Sequence, residues 1–363
     1  MTILRDCETD APAAVARRFG FSLPCFRAAP LPLLSLALVI ALLGSLSIGA
    51  FPIPLGRLAH ILLELCLPQS VVPMASASEL TVVQVIRLPR ILLAGLAGAG
   101  LGLSGAALQG MMRNPMVGPD LMGISSGAAC GGMLAILFDW PDWGLLAAAF
   151  AGGFLALLAA YALARFSRSG GVLPLVLAGV VISAFFTAVH GLIQTTADPE
   201  NKLPAMVYWL IGSFAGANPH KLAILAPPVL FAGGALLLLR WRINLLSLDD
   251  LDAAALGQRV GRLRWIVVAL VALIVAAQVS VSGIVGWVGL ITPHFARMIV
   301  GPDHRRLMPA AALTGAIFLL LTDDIGRTLA PQELPIGILT AGIGTPVFAA
   351  LFWRLQIRGW GNE

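Results

Sequence analysis

Residues 91–110 read ILLAGLAGAGLGLSGAALQG, twenty positions without a charge, bounded by Arg90 before and Arg113 shortly after. At about 1.5 Å per residue, a helix of that length matches the roughly 30 Å hydrocarbon core of a bilayer. Gly98, Gly102, Ala106 and Gly110 recur at every fourth position. That spacing gathers them on one smooth face, where a second helix can approach backbone to backbone. The stretch reads as a membrane span packed inside a bundle, and the rest of the chain follows from it.

Of 363 residues, 58% are hydrophobic and 11% charged, with a mean hydropathy of +0.91. A soluble domain is roughly 45–50% apolar and about 25% charged. A chain with this balance cannot cover itself with a hydrated surface, so a soluble enzyme is excluded. The 39 glycines and 24 prolines follow no collagen period and sit inside apolar runs, which excludes disorder as well. Apolar segments near 31–50, 91–110, 122–138, 144–164, 172–194, 221–239, 265–282, 284–299, 309–322 and 336–353 make ten expected spans. The third, eighth and ninth are short for a full crossing, and only Ser282-Gly283 separates the eighth from the seventh. The first run follows a long stretch containing Asp6, Glu8 and Asp10, so it reads as a retained helix and not a cleavable signal. This gives a tail over 1–30, a membrane domain over 31–355 and a tail over 356–363.

Charge sorting orients the spans. Of 23 Lys and Arg, only Arg57, Arg87, Arg90, Lys202, Lys221 and Arg327 fall in alternate loops on one side. The other 17 fall on the opposite side, which by the positive-inside rule is cytoplasmic, with both termini. The net charge of +5 therefore reflects topology and is no signal for nucleic acid.

The longest cytoplasmic insertion runs from Arg240 to Arg264. Within it, Leu248-Asp249-Asp250-Leu251-Asp252 starts a short helix with acids that suit its dipole, and Ala255-Leu256-Gly257 ends it. Gln258 to Arg264 reads as a second short helix with Val260 and Leu263 on one side. Two short helices joined at a glycine look like a docking surface. At the cytoplasmic end of the second span, residues 113–128 read RNPMVGPDLMGISSGA. Pro115, Gly118, Pro119 and Gly123 break regular structure there. Irregular backbone at that depth is tolerated where protein or a water-filled cavity covers it, which suits a gate.

Catalytic signals are missing. Asp323 and Asp324 are adjacent, so on a helix they diverge by about 100° and cannot share a proton. The chain has no GxSxG, HExxH or GxxxxGK[ST]. Ser125-Ser126 stands at a helix start, where capping is the simpler role. Cys7, Cys25, Cys66 and Cys130 show no CxxC spacing, so neither a disulfide framework nor a zinc site is expected. No cofactor or metal site is expected.

Several motifs carry a resemblance. Arg87-Leu88-Pro89-Arg90, Gly102-Leu103-Ser104-Gly105, the Arg113-Asn114-Pro115 segment, Tyr208-Trp209-Leu210-Ile211-Gly212-Ser213, Gly286-Trp287-Val288-Gly289-Leu290-Ile291-Thr292-Pro293-His294, Gly301-Pro302-Asp303-His304-Arg305-Arg306 and Glu333-Leu334-Pro335-Ile336-Gly337 occur in order. Together they resemble the FecCD family, membrane subunits of type II ABC importers for iron–siderophores, haem and cobalamin, over about residues 35–355. The resemblance implies an all-α, ten-span homodimer, two ATPase subunits below it and a periplasmic substrate-binding protein above it. It places binding-protein docking on Arg87, Arg90 and Arg327, and a cytoplasmic gate on Asn114 and Met116 with a second on Val172 and Leu173. At the latter pair the cobalamin importer has small hydroxyl residues, so an apolar plug is expected here. It assigns ATPase coupling to Leu248, Asp249, Ala255, Leu256, Gly257, Val260 and Arg264. Trp287 is expected to pack, and Asp324 to pair with Arg327 three residues on. The implied protein is an importer permease in the bacterial inner membrane, for an iron chelate first, with haem, cobalamin or molybdate as alternatives. An ion-coupled secondary transporter is the competing class. It would show inverted repeats and midplane carboxylates, whereas nearly every acid here lies in a loop or at a span end.

Overall fold

The computed structural model describes residues 30–49, 51, 53–66, 76–166, 173–330 and 333–359, and every regular element among them is helical. Helix α1 is Pro30–Ser47 and α2 is Leu55–Cys66. A short α3, Ala77–Thr81, passes through a π-helical turn, Val82–Arg87, into α4, Leu88–Met112. A 3-10 turn, Pro119–Met122, leads to α5, Ile124–Leu137, then α6, Asp142–Arg165, and α7, Leu173–Thr196. The chain continues through α8, Lys202–Ile211, α9, Pro219–Leu246, and α10, Asp250–Ala255. It finishes with α11, Val260–Ser282, α12, Val288–Val300, α13, His304–Thr328, and α14, Ile336–Gly359.

Seven helical stretches are long and apolar enough to cross a bilayer, and four shorter apolar helices accompany them. All ten expected spans have a counterpart; the additional short helix is α8. The third and eighth are short, as expected. With 14 and 13 residues, α5 and α12 reach only about 20 Å. The irregular 113–123 segment precedes α5. An extended stretch from Gly283 to Trp287 precedes α12, so the helix of the eighth span starts four residues later than its apolar run. The ninth, by contrast, has 25 residues. Its charged ends, Arg305 and Arg306 at one and Asp323, Asp324 and Arg327 at the other, hide its length from an apolar scan.

Helix α4 is the mast of the bundle, buried on nearly every face against α13, α9, α12, α11 and α1. A methyl group at Gly98 would lie 2.2 Å from the carbonyl oxygen of Gly315, and one at Gly105 only 1.7 Å from that of Gly289. These crossings exist because both helices are bare there. The predicted small-residue face of α4 is thus a packing seam. On α14 small residues also recur at every fourth position, Gly337, Ala341, Thr345 and Ala349, but only part of that face is packed: Gly337 meets the Ile211 carbonyl, whereas Thr345 and Ala349 are exposed. Helices α5, α6 and α7 form a second group, tied to α4's group through α11.

The interruption at Gly283 leaves backbone polar groups within the bundle, and they are paired. Ser213 N–H donates to Ser282 O at 2.8 Å and Ile336 N–H to Gly212 O at 3.0 Å. Gln278 Nε2 donates to Gly283 O at 3.0 Å. Irregular chain within a membrane domain is stable only when closed in this way. Trp287 takes φ +70° at the start of α12, and its ring packs edge-on to Phe348 with centroids 5.9 Å apart.

Two expectations are corrected. The Gln258 to Arg264 helix is no separate element: α11 begins at Val260 and runs unbroken to Ser282, because Leu263, Val267, Val271 and Ile274 continue one buried face with no cap or proline to stop it. Ser125 does not cap α5. Gly123 occupies the cap position, and Ser125 Oγ donates to Asp120 Oδ1 at 2.9 Å. Helix α14 also continues to Gly359, beyond the expected domain end at 355. Most of the expected N-terminal tail lies outside the described residues.

Candidate docking and coupling sites

Among the described residues, every ion pair joins segments that the charge count puts on one side. At the end assigned to the outside, Arg57 pairs with Glu79 at 2.7 Å, Arg90 with Asp323 and Glu333, Arg327 with Asp323 and Asp324, and Lys202 with Asp139. At the other end, Arg113 pairs with Asp249 and Asp250, and Arg264 with Asp250. The ten-span alternation is therefore internally consistent.

The structure brings Arg87, Arg90 and Arg327 together, but inside the protein. Arg90, from the first turn of α4, makes a forked contact with Asp323 of α13 at 2.9 Å and a second with Glu333 at 2.8 Å. Its side chain is 8% exposed. Arg327, 6% exposed, reaches Asp323 at 3.3 Å, Asp324 one turn back, and Ser45 Oγ of α1 at 2.8 Å. Ser45 Oγ in turn donates to Asp324 Oδ1 at 2.6 Å. Arg87 has no carboxylate partner among the described residues; it donates to the carbonyls of Leu46 and Phe51 and so holds the turn after α1. Two arginines thus meet three acids while the third holds backbone carbonyls, and Glu333, 42% exposed, is the acid most open to solvent. The Asp324–Arg327 pair was legible from spacing. The Asp323–Arg90 pair, 233 residues apart, had no sequence signal beyond the doubled aspartate.

At the inner end, α10 projects as a knob. Asp249 is its N-cap residue, Asp250 and Asp252 lie in its first turn, and Gly257 turns the chain at φ +79°. The Gly257 and Gln258 N–H groups return to the carbonyls of Ala254 and Ala253. Leu248 and Leu256 are exposed, and Leu251 is 79% exposed. Val260 is half-buried, while Ala255 lies on the open side. Arg264 does not face outward; buried on α11, it clamps Asp250 at 2.6 and 2.9 Å. Asp250 is shared with Arg113, at 3.1 Å, and Arg113 also holds Asp249 at 2.8 Å. That hydrogen bond keeps the Asp249 carboxyl below its usual range.

Arg113 caps the C-terminal end of α4 at φ +51°, a conformation uncommon for a residue with a side chain. The next residue is Asn114. Its Oδ1 accepts from Met116 N–H at 2.9 Å, fixing the first turn of the expected gate. Asn114 borders a cavity of about 300 Å³ with Gln109, Arg113, Arg297 and His304. Arg297 there donates to Gln109 Oε1 at 3.2 Å, and His304 Nδ1 lies 3.2 Å from Asn244 Oδ1. Neither contact was foreseen. Val172 lies outside the described residues, as does the Leu173 side chain. Helix α7, which begins at Leu173, packs on the 3-10 turn, where Gly179 closes against the Leu121 carbonyl. Among the described residues, no three His, Cys, Asp or Glu side chains gather as a metal site.

A multi-pass helical bundle, self-paired at one end and carrying an exposed apolar knob beside an irregular closure at the other, is a membrane permease moved from outside itself. Over residues 37–354 the chain matches the model of the FecCD transport family, and it belongs to that family. It is 43% identical over 330 residues to the molybdate import system permease protein MolB of Haemophilus influenzae, covering 91% of this chain and 96% of that one. It is 41% identical over 278 residues to the cobalamin import system permease protein BtuC of Halobacterium salinarum, covering 76% and 74%. A solved inward-facing metal-chelate-type ABC transporter superposes with a TM-score of 0.80 at 42% identity, covering 89% of this chain and 98% of that one. The chain is the non-catalytic, multi-pass permease subunit of a binding-protein-dependent ABC importer.

Proposed function

We propose that this permease passes a metal complex or metal oxyanion inward between two copies of itself. A periplasmic binding protein supplies the cargo, and ATPase subunits seated on the α10 knobs drive the cycle. The observation that carries the coupling half is the shared carboxylate pair. Asp249 and Asp250 tie the exposed knob to Arg113, the residue before the Asn114–Met116 turn, and to Arg264 at the base of α11. A push on α10 therefore reaches the gate through charge-assisted bonds and not through a slack loop. Leu248, Leu251 and Leu256 supply the apolar contact with the ATPase, and Val172 with Leu173 the second, apolar constriction.

Docking of the binding protein uses the outer rim, where Arg87, Arg90 and Arg327 set the shape. Because Arg90 and Arg327 are already paired with acids and Arg87 is bonded to backbone carbonyls, we assign them to holding Glu333 and the turn at Phe51 in place, with Arg57 and Glu333 as the exposed charges. Arg87→Glu with Arg90→Glu weakens association of the binding protein, more so at low salt. An unchanged affinity there would remove docking from this rim.

Two cargo classes have specific support. An iron chelate follows from the family motifs; molybdate is favoured by the near full-length similarity to the Haemophilus protein. ATPase activity of the reconstituted importer with its binding protein, against iron chelates, haem, cobalamin and molybdate in turn, decides between them. Stimulation by none of these would overturn both. Uptake into vesicles without any ATPase would instead support the secondary-transporter reading.

A further inference from the structure

Between the end of α9 and the start of α11 lies a cavity of about 400 Å³ lined by Arg242, Gly257, Gln258, Arg259, Arg262, Leu263 and Ile266. Three arginines face it and no acid does. Among the described residues, none of the three makes an ion pair, in contrast to Arg113 and Arg264 close by. Like charges gathered without a counter-ion repel one another, and an anion seated among them relieves that cost.

The walls identify the kind of anion. On α9, Leu238 is four residues before Arg242, on the same face, and is 86% exposed. Trp241 beside it is 54% exposed, with the Arg305 guanidinium 5.3 Å above its ring. On α11, Ile266 stands one turn beyond Arg262 and is also exposed. The cleft therefore has three arginines and the exposed Ile266 in its lining, with the exposed Leu238 and an indole beside it on α9, the kind of side chain that favours the membrane interface. A free phosphate would use the arginines only. A phospholipid uses both, headgroup on the arginines and acyl chain along Leu238 and Ile266.

We propose that this cleft is a binding site for an anionic phospholipid of the inner leaflet, its phosphate held by Arg242, Arg259 and Arg262. Because Gly257 and Gln258 close the cavity from the end of the α10 knob, the lipid braces the base of the ATPase-facing element. The site depends on the membrane orientation alone and holds for any cargo.

The test is native mass spectrometry of the intact transporter released from membranes containing phosphatidylglycerol, cardiolipin and phosphatidylcholine. Wild-type protein retains the anionic lipids. Arg242→Gln with Arg262→Gln lowers that retention roughly tenfold or more, since each basic residue near an anionic surface contributes about 1 kcal/mol. Arg242→Lys with Arg262→Lys keeps most of it, and Arg306→Gln, outside the cavity, leaves it unchanged. Equal retention in the glutamine variant, retention of phosphatidylcholine at the same level, or displacement by inorganic phosphate at equal concentration would each overturn the proposal. So would loss of the ATPase subunits from the glutamine variant with its lipid still bound, which would give the cleft to the ATPase.

Discussion

The two ends of this bundle handle positive charge in opposite ways. At the outer end, Arg90 and Arg327 meet Asp323, Asp324 and Glu333, Arg87 holds backbone carbonyls, and all three are consumed by the fold. At the inner end, Arg113 and Arg264 bind Asp249 and Asp250, while Arg242, Arg259 and Arg262 are left open. One end spends its charge on internal geometry; the other keeps charge for partners. A basic residue's place in a loop therefore says little about its role until its acids are known.

That contrast can be broken. The largest effect is expected from Asp323→Ala, which leaves Arg90 and Arg327 buried without their shared acid. The loss of stability is about 3–5 kcal/mol, the range for a buried pair cut on one side, read as a large drop in the thermal unfolding midpoint of the purified permease. A midpoint equal to wild type would mean that the outer end is not structural. Next comes Arg113→Ala. It removes both contacts to α10 from exposed or half-exposed positions, so folding is retained, while transport falls about tenfold or more with ATP hydrolysis preserved. A parallel loss of both activities would place Arg113 in the ATPase interface instead. Leu251→Asp follows, with ATPase affinity weakened about tenfold, as for a central apolar anchor, and no change in melting. Affinity equal to wild type would show that the knob is not the seat. The smallest effect is that of Glu333→Gln. It alters binding-protein affinity a few-fold, in a salt-dependent way and with Arg90 still held by Asp323. A salt-independent change would exclude a charge contact.

Much of this arrangement was legible in the sequence because it obeys local periods. Long uncharged runs gave the spans, every-fourth small residues gave the α4 seam, and the doubled aspartate with Gly257 gave the α10 knob. What escaped was either long-range or masked by composition. The pairing of Arg90 with Asp323 needs the crossing of α4 and α13, which no window contains. The 25-residue length of α13 was hidden by its charged ends, and the extended stretch before α12 looked apolar enough to be helix. The three outer arginines stood out in the sequence, yet their burial did not, since an arginine at a span end reads the same whether it faces a partner or an acid of its own chain.

Helix α4 carries Arg90 in its first turn and Arg113 as the residue that caps its far end, about 34 Å apart along one unbroken rod. With the docking and coupling assignments above, the two partners of this permease grip the same object. Linkage then requires reciprocity: whatever factor ATP binding imposes on affinity for the binding protein, the binding protein must impose on affinity for ATP. The rod makes the subunit a thermodynamic ledger between compartments, in which a signal read on one face of the membrane is necessarily written on the other.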